Sequence, residues 1–281
     1  MTTYDNTDPL LRPGERIDDL QRNGLRILQD PARFCFGMDA VLLSSYVGMK
    51  KAKRALDLGT GNGIIPILLS DRTDCASLTG LEIQPESADL AVRSVLLNGL
   101  QDRIKIIQGD IREADRLFSA ASFDFITCNP PYRTVGSGRI TGRNAGRASR
   151  RAADRLQKTV RTGSPSPEPE DPDPRAIARH EILCTFDDVT RAAAGLLRPG
   201  GHFYLIHRPL RLAEIITKLC IAGLEPKRMQ LVHPHAGQPP NMVLLDCVRG
   251  GSPELRVEAP LIVYEEDGRY TPELIKIYRP S

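Results

Sequence analysis

The segment Asp57-Leu58-Gly59-Thr60-Gly61-Asn62-Gly63 constrains the fold of this chain more than any other feature. Before it, Ala55-Leu56-Asp57-Leu58 reads as a buried strand, and after it Ile64 to Ser70 reads as a mainly apolar helix. Glycines remove side chains where the backbone turns sharply and where a bound molecule must come close to it. A strand, a glycine-rich turn and a helix in that order form the place where an α/β sheet holds a nucleotide-like cofactor. The spacing is Gly-x-Gly-x-Gly, not the Gly-x-Gly-x-x-Gly of dinucleotide enzymes, and no Walker lysine follows. Both points argue against NAD and nucleoside triphosphates.

The chain downstream repeats the alternation. Ser77 to Glu82 is a second strand, Pro85 to Asn98 an amphipathic helix with Gly99 behind it, Ile104 to Ile107 a third strand and Phe123 to Cys128 a fourth. In that helix Ala88, Ala91, Val92, Val95 and Leu96 share one face at the helical period. Phe186 to Leu197 predicts a helix stopped by Pro199-Gly200-Gly201, His202 to His207 a fifth strand, and Leu210 to Ala222 a helix capped by Gly223. Arg228 to His233 and Met242 to Val248 complete seven strands as an antiparallel pair at one edge. Alternating βα units predict a Rossmann-like α/β domain with a mostly parallel, doubly wound sheet. Residues 1–53 read as an N-terminal arm and capping helix packed on a catalytic domain of residues 54–281, with Asp39 as the N-cap of a short buried helix. Residues 137–178 break the pattern: Arg139 to Arg161 is dense in arginine and Ser164 to Pro174 in Pro, Ser, Glu and Asp. That composition predicts a flexible insertion, its basic half either a solvated loop or a grip on phosphates.

Composition narrows the partners and the compartment. The 281 residues carry a net charge of +3, which permits an anionic partner without requiring one. No apolar run approaches the roughly 18 residues of a membrane span, and the first residues lack the pattern of a signal peptide; a cytoplasmic protein is expected. Six scattered cysteines without a Cys-x-x-Cys pair read as reduced core residues, and no histidine has metal-ligand spacing.

The second informative motif is Asn129-Pro130-Pro131-Tyr132, at the end of the fourth strand. With the glycine-rich loop upstream, it resembles the S-adenosylmethionine (SAM)-dependent amino-methyltransferases, which methylate a planar, conjugated NH2 group. Such a nitrogen is a poor nucleophile because its lone pair is delocalised. Two acceptors aimed at its N–H groups draw it toward a pyramidal geometry, and the Asn129 side-chain oxygen and Pro130 carbonyl suit that task. The prolines stiffen the turn, and Tyr132 offers a face for an extracted base. Glu82 ends the second strand about 20 residues beyond the glycines, where an acidic residue binds cofactor ribose hydroxyls. Asp57 would accept from the cofactor's amino group or organise the loop. Asp110, after the third strand, would accept from the adenine amino group or cap a turn.

More narrowly, the chain resembles the bacterial methyltransferases that form N6-methyladenosine beside the anticodon of tRNA1(Val). The resemblance runs through Asp18-Asp19-Leu20, Phe36 to Leu43, Asp57 to Gly63, Asn129 to Tyr132, Ala178-Arg179-His180-Glu181, Arg198 to Gly201 and Pro240 to Val243. It implies a class I fold and SAM as cofactor, held by Phe36, Gly37, Asp39, Asp57, Gly59, Gly61, Asn62, Gly63, Glu82, Asp110 and Asn129. It further implies Asn129, Pro130, Pro131 and Tyr132 as the reactive corner, no metal, and tRNA as the partner. The insertion at 137–178 departs from that family. An rRNA base, a protein glutamine, or a non-catalytic RNA- or SAM-binding module are the alternatives.

Overall fold

The computed structural model describes residues 8–32, 35–130 and 184–278. The insertion at 137–178, Pro131, Tyr132 and His180 lie outside the described residues. Five parallel strands form the centre: β3 (Arg54–Leu58), β4 (Ser77–Glu82), β5 (Ile104–Gln108), β6 (Phe123–Cys128) and β7 (Leu197–His207). β3 lies between β4 and β6, with Leu58 opposite Leu81 on one side and Cys128 on the other. Their side chains are buried on both faces, as continuous apolar strands of a parallel sheet require.

One layer of helices holds α1 (Met38–Tyr46), α2 (Ile64–Arg72) and α3 (Pro85–Leu97); the other holds the short α4 (Ala114–Leu117), α5 (Phe186–Leu196) and α6 (Leu212–Ile221). Two separate apolar clusters fill the layers, one under α1 and α2 and one under α5 and α6. Beyond β7 the sheet continues through β9 (Met242–Arg249), antiparallel to its neighbours, to β8 (Leu224–His235). The expected antiparallel pair is present, and the antiparallel member is inserted between β7 and β8.

The structure corrects several expectations. Among the described residues the sheet has nine strands, because β10 (Arg256–Val257) and β11 (Leu261–Tyr264) add in parallel along β8, followed by α7 (Pro272–Tyr278). β7 starts directly at Leu197 and runs through Pro199-Gly200-Gly201 as an irregularity against β6. Gly201 is required there, since a Cβ would sit 2.9 Å from the Arg198 carbonyl oxygen and 3.0 Å from that of Asp124. Val92 and Leu96 are exposed, whereas Leu90 and Leu97 are buried. The reason is a third apolar cluster, in which Leu10, Leu11, Ile17 and Leu28 cover the flank of α3.

That cluster belongs to the N-terminal hairpin of β1 (Arg16–Asp19) and β2 (Arg26–Gln29). Arg93 of α3 donates to both Glu15 oxygens at 2.6 and 2.7 Å and to the Leu10 carbonyl at 2.6 Å. The Asn98 side chain bonds the backbone of Arg26 in both directions, at 2.8 and 2.7 Å. Asp39 is not the N-cap of α1. Gly37 holds that position, and Asp39 sits in the first turn, where a carboxylate suits the positive end of the helix. A Cβ at Gly37 would lie 2.8 Å from Asp39 Oδ1.

Candidate active site

The site lies at the carboxyl edge of the parallel strands, where β3 passes into the glycine-rich loop. Gly59 and Gly61 have φ of +73° and +57°, conformations that other residues rarely adopt. A Cβ built on either would meet no atom within 4 Å, so the backbone here faces open space. The loop is held from behind, with the Gly59 and Thr60 amides donating to the Leu81 carbonyl at 2.9 and 3.0 Å. Gly63 serves a packing role, since its Cβ would press on Ala91 at 3.3 Å. Asn62 is buried, and its side-chain amide donates to the Leu28 carbonyl at 3.3 Å. This ties the N-terminal hairpin to the loop. The Phe36 amide donates to Gln29 Oε1 at 3.2 Å, which brings the segment before α1 to the same hairpin.

Asp57 is 2% exposed, just inside the end of β3. Its Oδ1 accepts from the Thr127 hydroxyl on β6 at 2.7 Å. Its Oδ2 is buried without a hydrogen bond of good geometry, as is the hydroxyl of Thr60, which still lies close enough to favour the ionised carboxylate. Burial pushes the Asp57 carboxyl up to about 7; the Thr60 and Thr127 hydroxyls oppose the rise and the Glu82 carboxylate adds to it. A buried acceptor without a donor is costly. It marks a place where a ligand donor would complete the site.

Glu82 is 4% exposed at the end of β4. One carboxylate oxygen accepts from the Gly61 amide and the other from the Gln84 amide, both at 2.9 Å. The glutamate therefore shapes the glycine loop and presents its remaining lone pairs beside it. Asp110 caps a 3-10 turn after β5, accepting from the Arg112 amide at 2.9 Å and pairing with its guanidinium. That pairing holds its carboxyl below the usual carboxylate range. Open backbone at Gly59 and Gly61, an orphaned acceptor at Asp57 and a second carboxylate at Glu82 fit the donors of an amino-acid-bearing nucleoside such as SAM.

Asn129 and Pro130 follow β6 directly. Because Leu58 lies opposite Cys128, Gly59 and Asn129 leave the sheet side by side. The structure thus brings together Asp57, Gly59, Gly61, Glu82 and Asn129, which sequence spacing placed at successive strand ends. Thr60 and Thr127 were not singled out from the sequence. Only the β3–β6 register reveals that Thr127 faces Asp57.

His207, at the end of β7, is 1% exposed, and burial lowers its pKa to about 4. It stays neutral near pH 7, its Nδ1 accepting from the Arg208 amide at 2.7 Å. Among the described residues there is no cluster of His, Cys, Asp and Glu fit to hold a metal ion. Nor is any helix among them long and apolar enough to cross a membrane. Cys75, Cys128 and Cys247 are buried, but Cys220 is exposed, contrary to the reading of all six as core residues.

Comparisons with known proteins bear on the chain as a whole. Residues 25–159 match the family model of the methyltransferase small domain. A protein of Tolumonas auensis named tRNA1(Val) (adenine(37)-N6)-methyltransferase is 29% identical over 251 residues, covering 89% of this chain and 90% of the relative. A Porphyromonas gingivalis protein of the same name is 28% identical, covering 87% of each. Among solved structures, a predicted O-methyltransferase from Agrobacterium tumefaciens superposes with a TM-score of 0.62 at 25% identity, over 86% of this chain and 95% of that one.

Proposed function

We propose that this chain, a class I SAM-dependent methyltransferase by its strand order and its relatives, methylates N6 of an adenosine in tRNA, next to the anticodon of tRNA1(Val). The observation that carries the reading is the pairing of β3 with β6. It sets the loop with the unsatisfied Asp57 oxygen beside Asn129 and Pro130.

In this reading Gly59, Gly61, Asn62, Gly63, Asp57, Glu82 and Asp110 hold SAM, and Phe36, Gly37 and Asp39 close around it. Bound SAM supplies an activated methyl group on a sulfonium. The Asn129 side-chain oxygen and the Pro130 carbonyl accept from the two N–H groups of the target amine and weaken its conjugation with the ring. Pro131 keeps the corner stiff and Tyr132 stacks on the extracted base. Catalysis then rests on positioning and on fixed acceptors rather than on proton abstraction. The neutral, buried His207 is in keeping with that. The arginine-rich stretch 139–161 contacts RNA phosphates, and the enzyme works in the cytoplasm.

The test is transfer of labelled methyl from SAM to separate pools of tRNA, ribosomal RNA and protein, with nucleoside mass spectrometry of the product. Label in N6-methyladenosine of tRNA is expected. Label in an rRNA base or in protein glutamine would replace the substrate while keeping the chemistry. Asn129→Ala should bind SAM normally and lose transfer; near-normal turnover would remove Asn129 from its role.

A further inference from the structure

The turn that follows β7 is not used by the chemistry above. Cys128 of β6 lies opposite Leu205 of β7, so His207 leaves the sheet beside Asn129 and Pro130. Arg208 follows, then a 3-10 turn of Pro209–Arg211 that leads into α6. Leu210 in this turn is 95% exposed, more than any other large apolar side chain among the described residues. The next, Ile221 at 81%, ends α6 and so sits toward the opposite edge of the sheet. A lone exposed leucine is ordinary on a protein surface. This one is distinguished by its place and by how firmly its turn is held.

Pro209 fixes its own φ. The Arg208 guanidinium donates to the Asn241 carbonyl at 3.2 Å, and its amide donates to His207 Nδ1 at 2.7 Å. Arg211 is gripped by the Glu214 carboxylate at 2.7 and 2.8 Å. The result is an apolar tip on a stiff turn, with the Arg208 guanidinium on one side and the Arg211–Glu214 ion pair on the other. Asn241, the residue before β9 whose carbonyl Arg208 bonds, has a buried side-chain oxygen without a hydrogen-bond donor. The corner is therefore incomplete as the protein stands, as Asp57 is on the other side of Asn129.

We propose that this turn grips RNA and that Leu210 is a wedge. It fills the gap that the target adenosine leaves in its stack, while Arg208 faces a flanking phosphate and Arg211, paired with Glu214, holds the turn. The inference rests on RNA being the substrate. An amine must enter the crevice beside Asn129, which a base inside a stack does not reach without unstacking, at a cost of a few kcal/mol. An apolar side chain placed between the neighbouring bases offsets part of that cost. Leu210 is the exposed apolar group nearest in sequence to the β7 end that flanks the corner, and the neighbouring Arg208, whose guanidinium donates to the neutral Asn241 carbonyl, complements phosphate charge.

The experiment uses full-length enzyme and a transcript of tRNA1(Val), with 2-aminopurine replacing the target adenine in a second transcript. Wild type should methylate the first and raise the fluorescence of the second. Leu210→Ala should lower kcat/KM about 10-fold and blunt the fluorescence rise. Its SAM affinity and unfolding temperature should be unchanged, and Leu210→Met should restore most of the loss. A Leu210→Ala enzyme with wild-type kcat/KM and a full fluorescence rise would overturn the wedge while leaving the methyltransferase reading intact. Failure of the wild type to methylate the transcript would instead overturn that reading, and the wedge with it.

Discussion

Asp57 and Asp246 are both buried carboxylates in the same sheet, at 2% and 3% exposure, yet their surroundings differ sharply. Asp246 lies within β9 and is saturated. His202 Nδ1 meets its Oδ1 at 2.7 Å, and Arg228 donates to its Oδ2 at 2.9 Å. Arg228 is itself tied to Glu258 at 3.2 Å and to the Tyr46 carbonyl at 3.0 Å, with its guanidinium 4.6 Å from the centre of the Tyr46 ring. Asp57 has one donor, Thr127, and an oxygen with none. A buried charge paired from all sides locks neighbouring elements together. A buried charge left short of donors costs stability, and the cost is recovered only when something else binds. Along one cross-strand row, the same residue type thus marks structure on β9 and ligand on β3.

If that distinction holds, the two aspartates should fail in opposite ways. Asp246→Ala strands Arg228 and His202, each about 30% exposed in its side chain, and should cost roughly 2–4 kcal/mol of stability, below the value for fully buried pairs. SAM affinity per folded molecule should stay within about two-fold of wild type. Thermal or denaturant unfolding together with calorimetric titration reads both. Asp57→Asn should do the reverse, lowering SAM affinity about 10- to 100-fold through the loss of a charged acceptor and leaving the apo protein as stable as before or more so. A variant of Asp57 that unfolds readily but binds SAM normally would erase the comparison.

The pH dependence of the apo protein is the next, smaller effect. The Asp57 pKa stands at about 7 in the folded chain, raised by burial from 3.8. Protonation is therefore favoured by folding, and ionisation penalises the folded state. This contribution to stability is largest at acid pH, falls as the pH rises from near 4 toward 7, and levels off above 7. Between pH 6 and 8 the loss should be about 1 kcal/mol. Asp57→Asn should remove that slope from chemical denaturation curves measured across the window. Saturating SAM should flatten it as well, because a donor at Oδ2 stabilises the ionised carboxylate.

How far the sequence reveals this contrast depends on range. The strand, loop and helix around Asp57 are legible because apolar runs and glycines act over a few residues. Glu82 was placed by the fixed length of a βα unit. Asp246 gives no signal, because its partners come from register: His202, two residues before its β7 neighbour Tyr204, and Arg228, opposite it on β8, reach it only once β9 is inserted between those strands. The same holds for Thr127. β10 and β11, of two and four residues, are too short for periodicity to register. The exposure of Val92 and Leu96 could not be foreseen either, because the cover on α3 comes from a hairpin some seventy residues upstream, through Arg93 to Glu15 and Asn98 to Arg26.

Thr127 offers the finest test of the comparison. Asp246 has donors on both oxygens and would keep its place if one weakened. Asp57 has one well-formed hydrogen bond, from Thr127, while the Thr60 hydroxyl also favours its ionised form, so the orientation of its carboxylate should respond to the loss of the Thr127 group. Thr127→Val keeps the shape of a fully buried side chain and removes the donor, at a cost of about 0.5–1.5 kcal/mol for one hydrogen bond to a carboxyl that is only partly ionised near pH 7. The loss should fall on binding, as a 2- to 10-fold weaker grip on SAM. It should also push the Asp57 carboxyl still higher, so that the apo stability slope moves to higher pH. Thr127→Ser, which retains the hydroxyl, should recover the affinity even though it leaves a small cavity. If valine and serine at 127 bind SAM equally well, the Thr127 bond to Asp57 does not orient it. The unsatisfied oxygen would then have to be explained by burial alone.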